Sequence, residues 1–180
     1  MSILNTIYSD HLFDLAKNKK DEVFFNSSSE HAVVVHQALA KYAEEYIDIY
    51  SRSLCSEISN NSDYCQYIKQ FLDRSPDNQI RIILTDYDAD KFKDRPIAQI
   101  LSKYPNQVKM RSYKGAVQYK GKPVNFTVTA DRAFRLETDI ENYKAFGNFN
   151  SPTQAIVLRE NFDRLFNSEV LTEPIIVPAA

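Results

Sequence analysis

Along the first two thirds of the chain, short strand-like runs alternate with segments whose apolar residues recur at helical spacing. That alternation is the strongest constraint on the fold. Ile80-Arg81-Ile82-Ile83-Leu84-Thr85 reads as a buried strand and Val108-Lys109-Met110-Arg111-Ser112-Tyr113 as another. Residues 45–51 alternate apolar and polar at period two, and residues 22–26 form a short strand. Between these runs, Leu4, Ile7, Tyr8, Leu12 and Leu15 place an amphipathic helix over residues 3–18. Ser27 and Glu30 have the spacing of a capping box for a helix through Val35, Leu39, Tyr42 and Ala43. Asp63 can cap a helix carrying Tyr64, Ile68, Phe71 and Leu72. Asp94-Arg95-Pro96 opens one with Ile97, Ile100, Leu101 and Tyr104 on its apolar face. Strand–helix repeats need parallel neighbours joined by crossover helices, so this part implies a largely parallel sheet covered by helices.

Past residue 113 the pattern changes. Residues 116–120 and 123–130 flank Gly121-Lys122 as the arms of a hairpin, and residues 133–137 add one more strand. Ser151-Pro152-Thr153 starts a last helix with Ile156, Phe162, Leu165 and Phe166, and residues 173–180, with two prolines, read as an open tail. The expected fold is α/β: a mixed, mainly parallel sheet flanked by helices, with an antiparallel hairpin in the C-terminal half. One domain is expected over residues 1–180, with an N-terminal helix (3–20), a core (22–167) and a tail (168–180).

Composition narrows the function classes. Lys and Arg total 22 against 24 Asp and Glu, so the formal charge of −2 excludes a globally basic nucleic-acid coat and a strongly acidic tail protein. No apolar run approaches the roughly 20 residues that cross a bilayer, and the start lacks the pattern of a signal peptide, so no membrane partner is expected. Cys55 and Cys65 can build neither a disulfide scaffold nor a zinc site alone, which points to a reduced, cytoplasmic protein. Three glycines leave no Gly-rich phosphate loop, and no cofactor is called for.

Two stretches carry chemistry-bearing residues. Between residues 103 and 130 there are six Lys or Arg and no acidic residue, with Tyr104, Tyr113, Tyr119 and Phe126 interleaved. Cations neutralise phosphates and aromatic faces stack bases, so Lys109, Arg111, Tyr113, Lys114, Tyr119, Lys120 and Lys122 form a nucleic-acid surface in one reading. In the plainer reading, strands bury aromatics on one face and show lysines to water on the other. Asp86, Asp88 and Asp90 follow a strand end where α/β proteins place sites, but a polar strand-to-helix loop accounts for them better, and no metal site is assigned. His31 and His36 lie about 140° apart around a helix and do not share a face.

The second stretch runs from Asn125-Phe126-Thr127-Val128-Thr129-Ala130-Asp131 to Phe146-Gly147-Asn148-Phe149-Asn150. It resembles one half of the phospholipase D-like superfamily, in which a strand carrying H-x-K-x-x-x-x-D is followed by a second strand and G-S-x-N. Gly147-Asn148-Phe149-Asn150 looks like the latter with Asn for Ser, Asp131 looks like the motif aspartate, and the resemblance covers roughly residues 22–167. The family's histidine falls at about Asn125 and its lysine at about Thr127; the spacing to Asp131 is one residue short, and the gap to Gly147 is longer. In that chemistry His attacks phosphorus while Lys and Asn clamp the phosphoryl oxygens, and two halves complete the site. The resemblance therefore implies a non-catalytic binding or regulatory module acting through a homodimer or a protein partner. It also implies an accessory role in a bacterial or phage defence or toxin–antitoxin system. A surviving cleft would gather Asn125, Thr127, Asp131, Arg132, Arg135, Glu137, Asn148 and Asn150. A histidine folding back into it, His31 or His36, would reopen the question of catalysis. The alternatives are a nucleic-acid-binding protein or metal-dependent nuclease using residues 103–126, and an unrelated enzyme at the sheet's C-terminal edge.

Overall fold

The computed structural model describes residues 3–177. Helix α1 (Ile3–Lys17) buries Leu12, Leu15 and Ala16 and leads into β1 (Val23–Asn26). Helix α2 (Ser29–Tyr42) is capped by Ser28 rather than Ser27: its hydroxyl accepts from the His31 N–H at 3.2 Å. After β2 (Tyr46–Ser51) come the single turn α3 (Ser56–Ser59) and α4 (Ser62–Arg74). The α4 cap is Asn61, accepting from the Tyr64 N–H at 3.0 Å; Asp63 already lies inside the first turn. Next are β3 (Gln79–Leu84), α5 (Ala89–Lys93), α6 (Pro96–Leu101) and β4 (Val108–Tyr113). The short α5 exists because the Asp88 carboxylate accepts from the Asp90 and Lys91 N–H groups, at 3.1 and 3.2 Å.

The hairpin expected around Gly121 is small and separate. Strands β5 (Gln118–Tyr119) and β6 (Lys122–Pro123) pair only with each other. Lys120 and Gly121 close them with φ of 51° and 76°, as a type I′ turn requires. Then β7 (Asn125–Thr129), β8 (Ala133–Asp139) and β9 (Lys144–Asn148) form a meander, and α7 (Pro152–Phe166) crosses back over the sheet. The expected open tail instead holds β10 (Thr172–Ile175), paired with β4. Pro174 is tolerated because β10 is an edge strand whose missing N–H interrupts no ladder beyond it.

The eight strands run β1-β9-β8-β7-β2-β3-β4-β10. The sheet is mixed and helix-flanked as expected, but it is not mainly parallel. Only β2/β3 and β3/β4 are parallel pairings, against five antiparallel ones. After β4 the chain makes the hairpins β7–β8 and β8–β9, which need only short turns, and β7 and β10 also join β2 and β4 antiparallel. One face of β2 and β3, with Ile47, Ile49, Ile80 and Ile82, packs under α4 and α6. Helices α1 and α2 extend this layer towards β1. The other face, with Tyr46, Tyr50, Phe126 and Val128, lies under α7. Burial on both faces explains β2: the period-two reading holds, yet its polar positions meet α7 rather than water, and Asp48 is 0% exposed.

Candidate functional site

The β-ladder sets a row of side chains on the α2 face. Ile49 on β2 lies opposite Thr127, Thr127 opposite Arg135, and Arg135 opposite Gly147; one step along, Asn125 lies opposite Glu137. A Cβ at Gly147 would overlap the Phe134 carbonyl and the Phe24 ring, so only glycine lets β1 and β9 close against Arg135's strand. The Arg135 guanidinium is almost wholly buried. It donates from Nη2 to Glu137 Oε1 at 2.7 Å and from Nε to Asn26 Oδ1 at 3.1 Å. Asn125 Nδ2 donates to Glu137 Oε2 at 2.7 Å, while its carbonyl accepts from the Arg52 N–H at 2.9 Å. Arginine and carboxylate are thus paired and held by two asparagines, as buried charges must be.

Beside this pair is a cavity of about 50 Å³ near the C-terminal end of β2, where α/β sheets place sites. Asn125, Thr127, Arg135 and Glu137 line it, together with Ser51, Cys55 and His36 from α2. Ile49, Ile82 and Leu54 supply apolar wall. Burial first, and then the Arg135 charge, holds His36 well below the usual imidazole range, so the ring is neutral. Burial pushes the Cys55 thiol up, as does its hydrogen bond to Glu57 at 2.8 Å, so Cys55 is no activated nucleophile.

The other residues expected near the cleft lie elsewhere. Asp131 sits in the β7–β8 turn on the α7 side. It accepts from Arg159 Nη1 at 2.7 Å and from the Tyr46 hydroxyl. Burial raises its carboxyl, but these hydrogen bonds outweigh it and leave Asp131 below the usual range. Arg132 pairs with Glu44. Asn148 donates to Asp21 Oδ1 at 2.8 Å and accepts from the Asn150 N–H at 2.7 Å, so both belong to a backbone-satisfying loop. The expected cleft is therefore divided: Asn125, Thr127, Arg135 and Glu137 meet at the cavity, whereas Asp131, Asn148 and Asn150 do not.

The basic stretch is dispersed as well. Arg111 is tied to Thr172 (Nε to Oγ1, 2.6 Å; Nη2 to O, 2.7 Å), and Lys114 pairs with Glu173 at 3.3 Å. Tyr113 is half-buried, while Lys109, Tyr119, Lys120 and Lys122 are exposed, with Lys120 over the Tyr119 ring at 5.3 Å. Two of the three aspartates are partnered locally. Asp88 caps α5 and pairs with Lys91 at 2.9 Å, and Asp90 pairs with Lys93 at 2.8 Å. Among the described residues no three His, Cys, Asp or Glu side chains could hold a metal. His31 stacks on Tyr8 with ring centroids 3.9 Å apart, away from the cavity.

A family model described as "Domain of unknown function (DUF7931)" matches residues 28–172. The chain belongs to this family. No curated protein matches it in sequence. Among solved structures, the DUF7931 chain is similar to TrmBL2, described as an archaeal chromatin protein with a novel mode of DNA binding. The TM-score is 0.63 at 12% identity, covering 94% of this chain, which spans 62% of that protein's length. It is also similar to NucT from Helicobacter pylori, with a TM-score of 0.56 at 13% identity, covering 83% of this chain and 98% of that one. The fold is phospholipase D-like.

Two members of the site were not placed there by the sequence: Asn26 was not singled out, and His36 was named only as a histidine that could fold back into the cleft. His36 comes from a helix some ninety positions before the motif strand. A signal existed: Ala32, Leu39 and Ala40, all at three or four residues from it, belong to a buried stripe. Asn26 ends β1, and only its two-residue offset from the buried Phe24 marks it as inward-facing.

Proposed function

We propose that this chain is a non-catalytic phospholipase D-like binding or regulatory module, working by pairing with a second copy or by docking a protein partner. The observation that carries this reading is the charge balance at the cavity: Arg135 is the cation there, and Glu137 already neutralises it. Asn125 and Thr127 stand where the family's chemistry calls for a nucleophilic His and a phosphate-clamping Lys. Amide and hydroxyl supply neither a leaving-group acid nor a positive charge. His36 brings an imidazole, but no lysine lines the cavity to clamp the oxygens of a phosphorus that it would attack. The test is hydrolysis of bis(p-nitrophenyl) phosphate and of single- and double-stranded DNA, with His36→Ala beside the parent chain. The expected result is no turnover above buffer in either protein. Turnover that His36→Ala abolishes would overturn the reading. Native mass spectrometry addresses the module part: a dimer or a retained protein is expected, and a bare monomer counts against it.

One observation favours a second reading, nucleic-acid binding: Tyr119, Lys120 and Lys122 are exposed together on the β5–β6 ribbon, with Lys109 exposed on β4. TrmBL2, similar in fold, is described as binding DNA. Under this reading affinity for oligonucleotides falls steeply with salt and weakens in Lys120→Glu. Absence of binding at low salt removes it.

A further inference from the structure

Three polar groups in the cavity wall lack a hydrogen-bond partner among the described residues: the His36 ring nitrogens, Arg135 Nη1 and the Thr127 hydroxyl. Their residues are 8%, 2% and 3% exposed. Buried polar groups are normally satisfied, and the three residues that carry these groups line one shared cavity. We infer that the cavity is a binding site for a short-chain carboxylate, taken up together with one proton on His36.

The ligand class follows from charge and size. A guanidinium edge, a hydroxyl and an imidazole make a donor set for a planar oxyanion. Glu137 cancels Arg135, and His36 is neutral, so the unliganded cavity carries no net charge. A monoanion adds one negative charge, and protonating His36 restores the balance. A phosphate dianion would leave charge uncompensated in a buried space. The volume of about 50 Å³ is roughly a third of the 150 Å³ that admits a benzene. That suits an acetate or propionate, with the alkyl end on Ile49 and Ile82. The groups bearing on His36 are Arg135 and Glu137 from β8, Tyr64 from α4, in edge contact with its ring, and Cys55 ahead of α3. From α1, Tyr8 lies within the field of Arg135. Only the ligand charge is new when it binds, so His36 is the group whose titration it moves upward.

This inference rests on the binding-module reading only in treating the cavity as a site, and the two can fail separately. Phosphodiester turnover would overturn the earlier reading; the experiment here is side-chain NMR of the histidines in the full chain, titrated with sodium acetate, sodium propionate and inorganic phosphate. The His36 signals, assigned with His36→Gln, are expected to shift on adding acetate and to titrate at higher pH in its presence. Binding is expected to weaken by up to roughly tenfold per pH unit between the unliganded and the liganded His36 pKa. Thr127→Val is expected to weaken binding several-fold without lowering Tm, which keeps the test open should His36→Gln fold poorly. The inference is overturned by unmoved His36 signals at tens of millimolar acetate, by pH-independent binding, or by phosphate binding as tightly as acetate.

Discussion

Both faces of the sheet bury charge, and they do so to different ends. Under α7, Asp48 receives Arg81 through two hydrogen bonds of 2.8 and 2.7 Å, and Arg81 reaches Asp163 on α7 at 2.7 Å. Arg159, also on α7, lies over the Tyr46 ring at 3.8 Å and pairs with Asp131 at 2.7 Å. Asp163 Oδ1 and Arg159 Nε are buried with no aligned hydrogen bond, yet opposite charges stand at 2.7 and 3.9 Å from them. Every charge here faces an opposite one, and the contacts run between sheet and helix, so the network is a fastening. On the α2 face the pair Arg135–Glu137 lies within one strand, and beside it the His36 ring nitrogens and the Thr127 hydroxyl have no hydrogen-bond partner among the described residues. The difference separates charge that holds the fold from charge that equips a cavity.

The largest expected effect breaks the fastening. Arg81→Met leaves Asp48 buried without its bidentate partner, and removing one member of such a pair costs about 3–5 kcal/mol. Urea unfolding measures it. Adding Asp48→Leu to Arg81→Met should recover most of the loss, because an apolar pair carries no desolvation penalty. A double variant no more stable than Arg81→Met would mean that the network does more than hold α7 down.

A smaller effect, on pH, belongs to the cavity face. His36 has its folded-state pKa depressed, so its contribution is fully present above the unfolded value of 6.5. As pH falls below that value the unfolded chain takes a proton that the folded chain refuses. Stability is then lost at up to about 1.4 kcal/mol per pH unit until the folded pKa is reached. The α7 face titrates lower. Asp131, depressed, loses its contribution only as pH falls below the ordinary carboxylate range. Asp48 is raised, chiefly by burial, and so favours the folded chain more as the medium becomes acid. His36→Gln should therefore flatten the stability profile between about pH 6.5 and 5 and leave the steeper acid limb in place. A parent profile already flat across that interval would mean that His36 does not stay neutral.

These two faces were not equally legible in the sequence. Strands β2, β3 and β4 and the row Asn125–Thr127 stood out because β-branched runs and period-two alternation are local signals. The Asp48–Arg81 pair was hidden, since a polar residue alternating in a strand reads as solvent-facing until a helix from far along the chain covers it. Strand β9 was obscured because Gly147-Asn148-Phe149-Asn150 reads as a loop, and β10 because proline argues against a strand unless the strand is an edge. The grouping of Asp131 with Asn125 failed for a geometric reason. Asn125 begins β7 and Asp131 follows its end, so they lie at opposite ends of one strand and turn to opposite faces.

The smallest expected effects come from one substitution made on each face. Thr172, under α7, donates from Oγ1 to the Ser168 carbonyl at 2.9 Å or the Leu165 carbonyl at 3.2 Å, and accepts from Arg111 Nε at 2.6 Å. Thr172→Val keeps the shape but strands the Arg111 Nε–H, while both carbonyls keep backbone N–H donors, so a loss of about 1–2 kcal/mol is expected. Thr127 is equally buried, yet its hydroxyl has no partner among the described residues. Thr127→Val removes a polar atom without orphaning another, so stability should change by less than about 0.5 kcal/mol. Thermal unfolding of the two variants side by side reads the contrast directly. Equal losses would mean that the Thr127 hydroxyl is engaged in the unliganded protein, and that the cavity face is fastened in the same way as the α7 face.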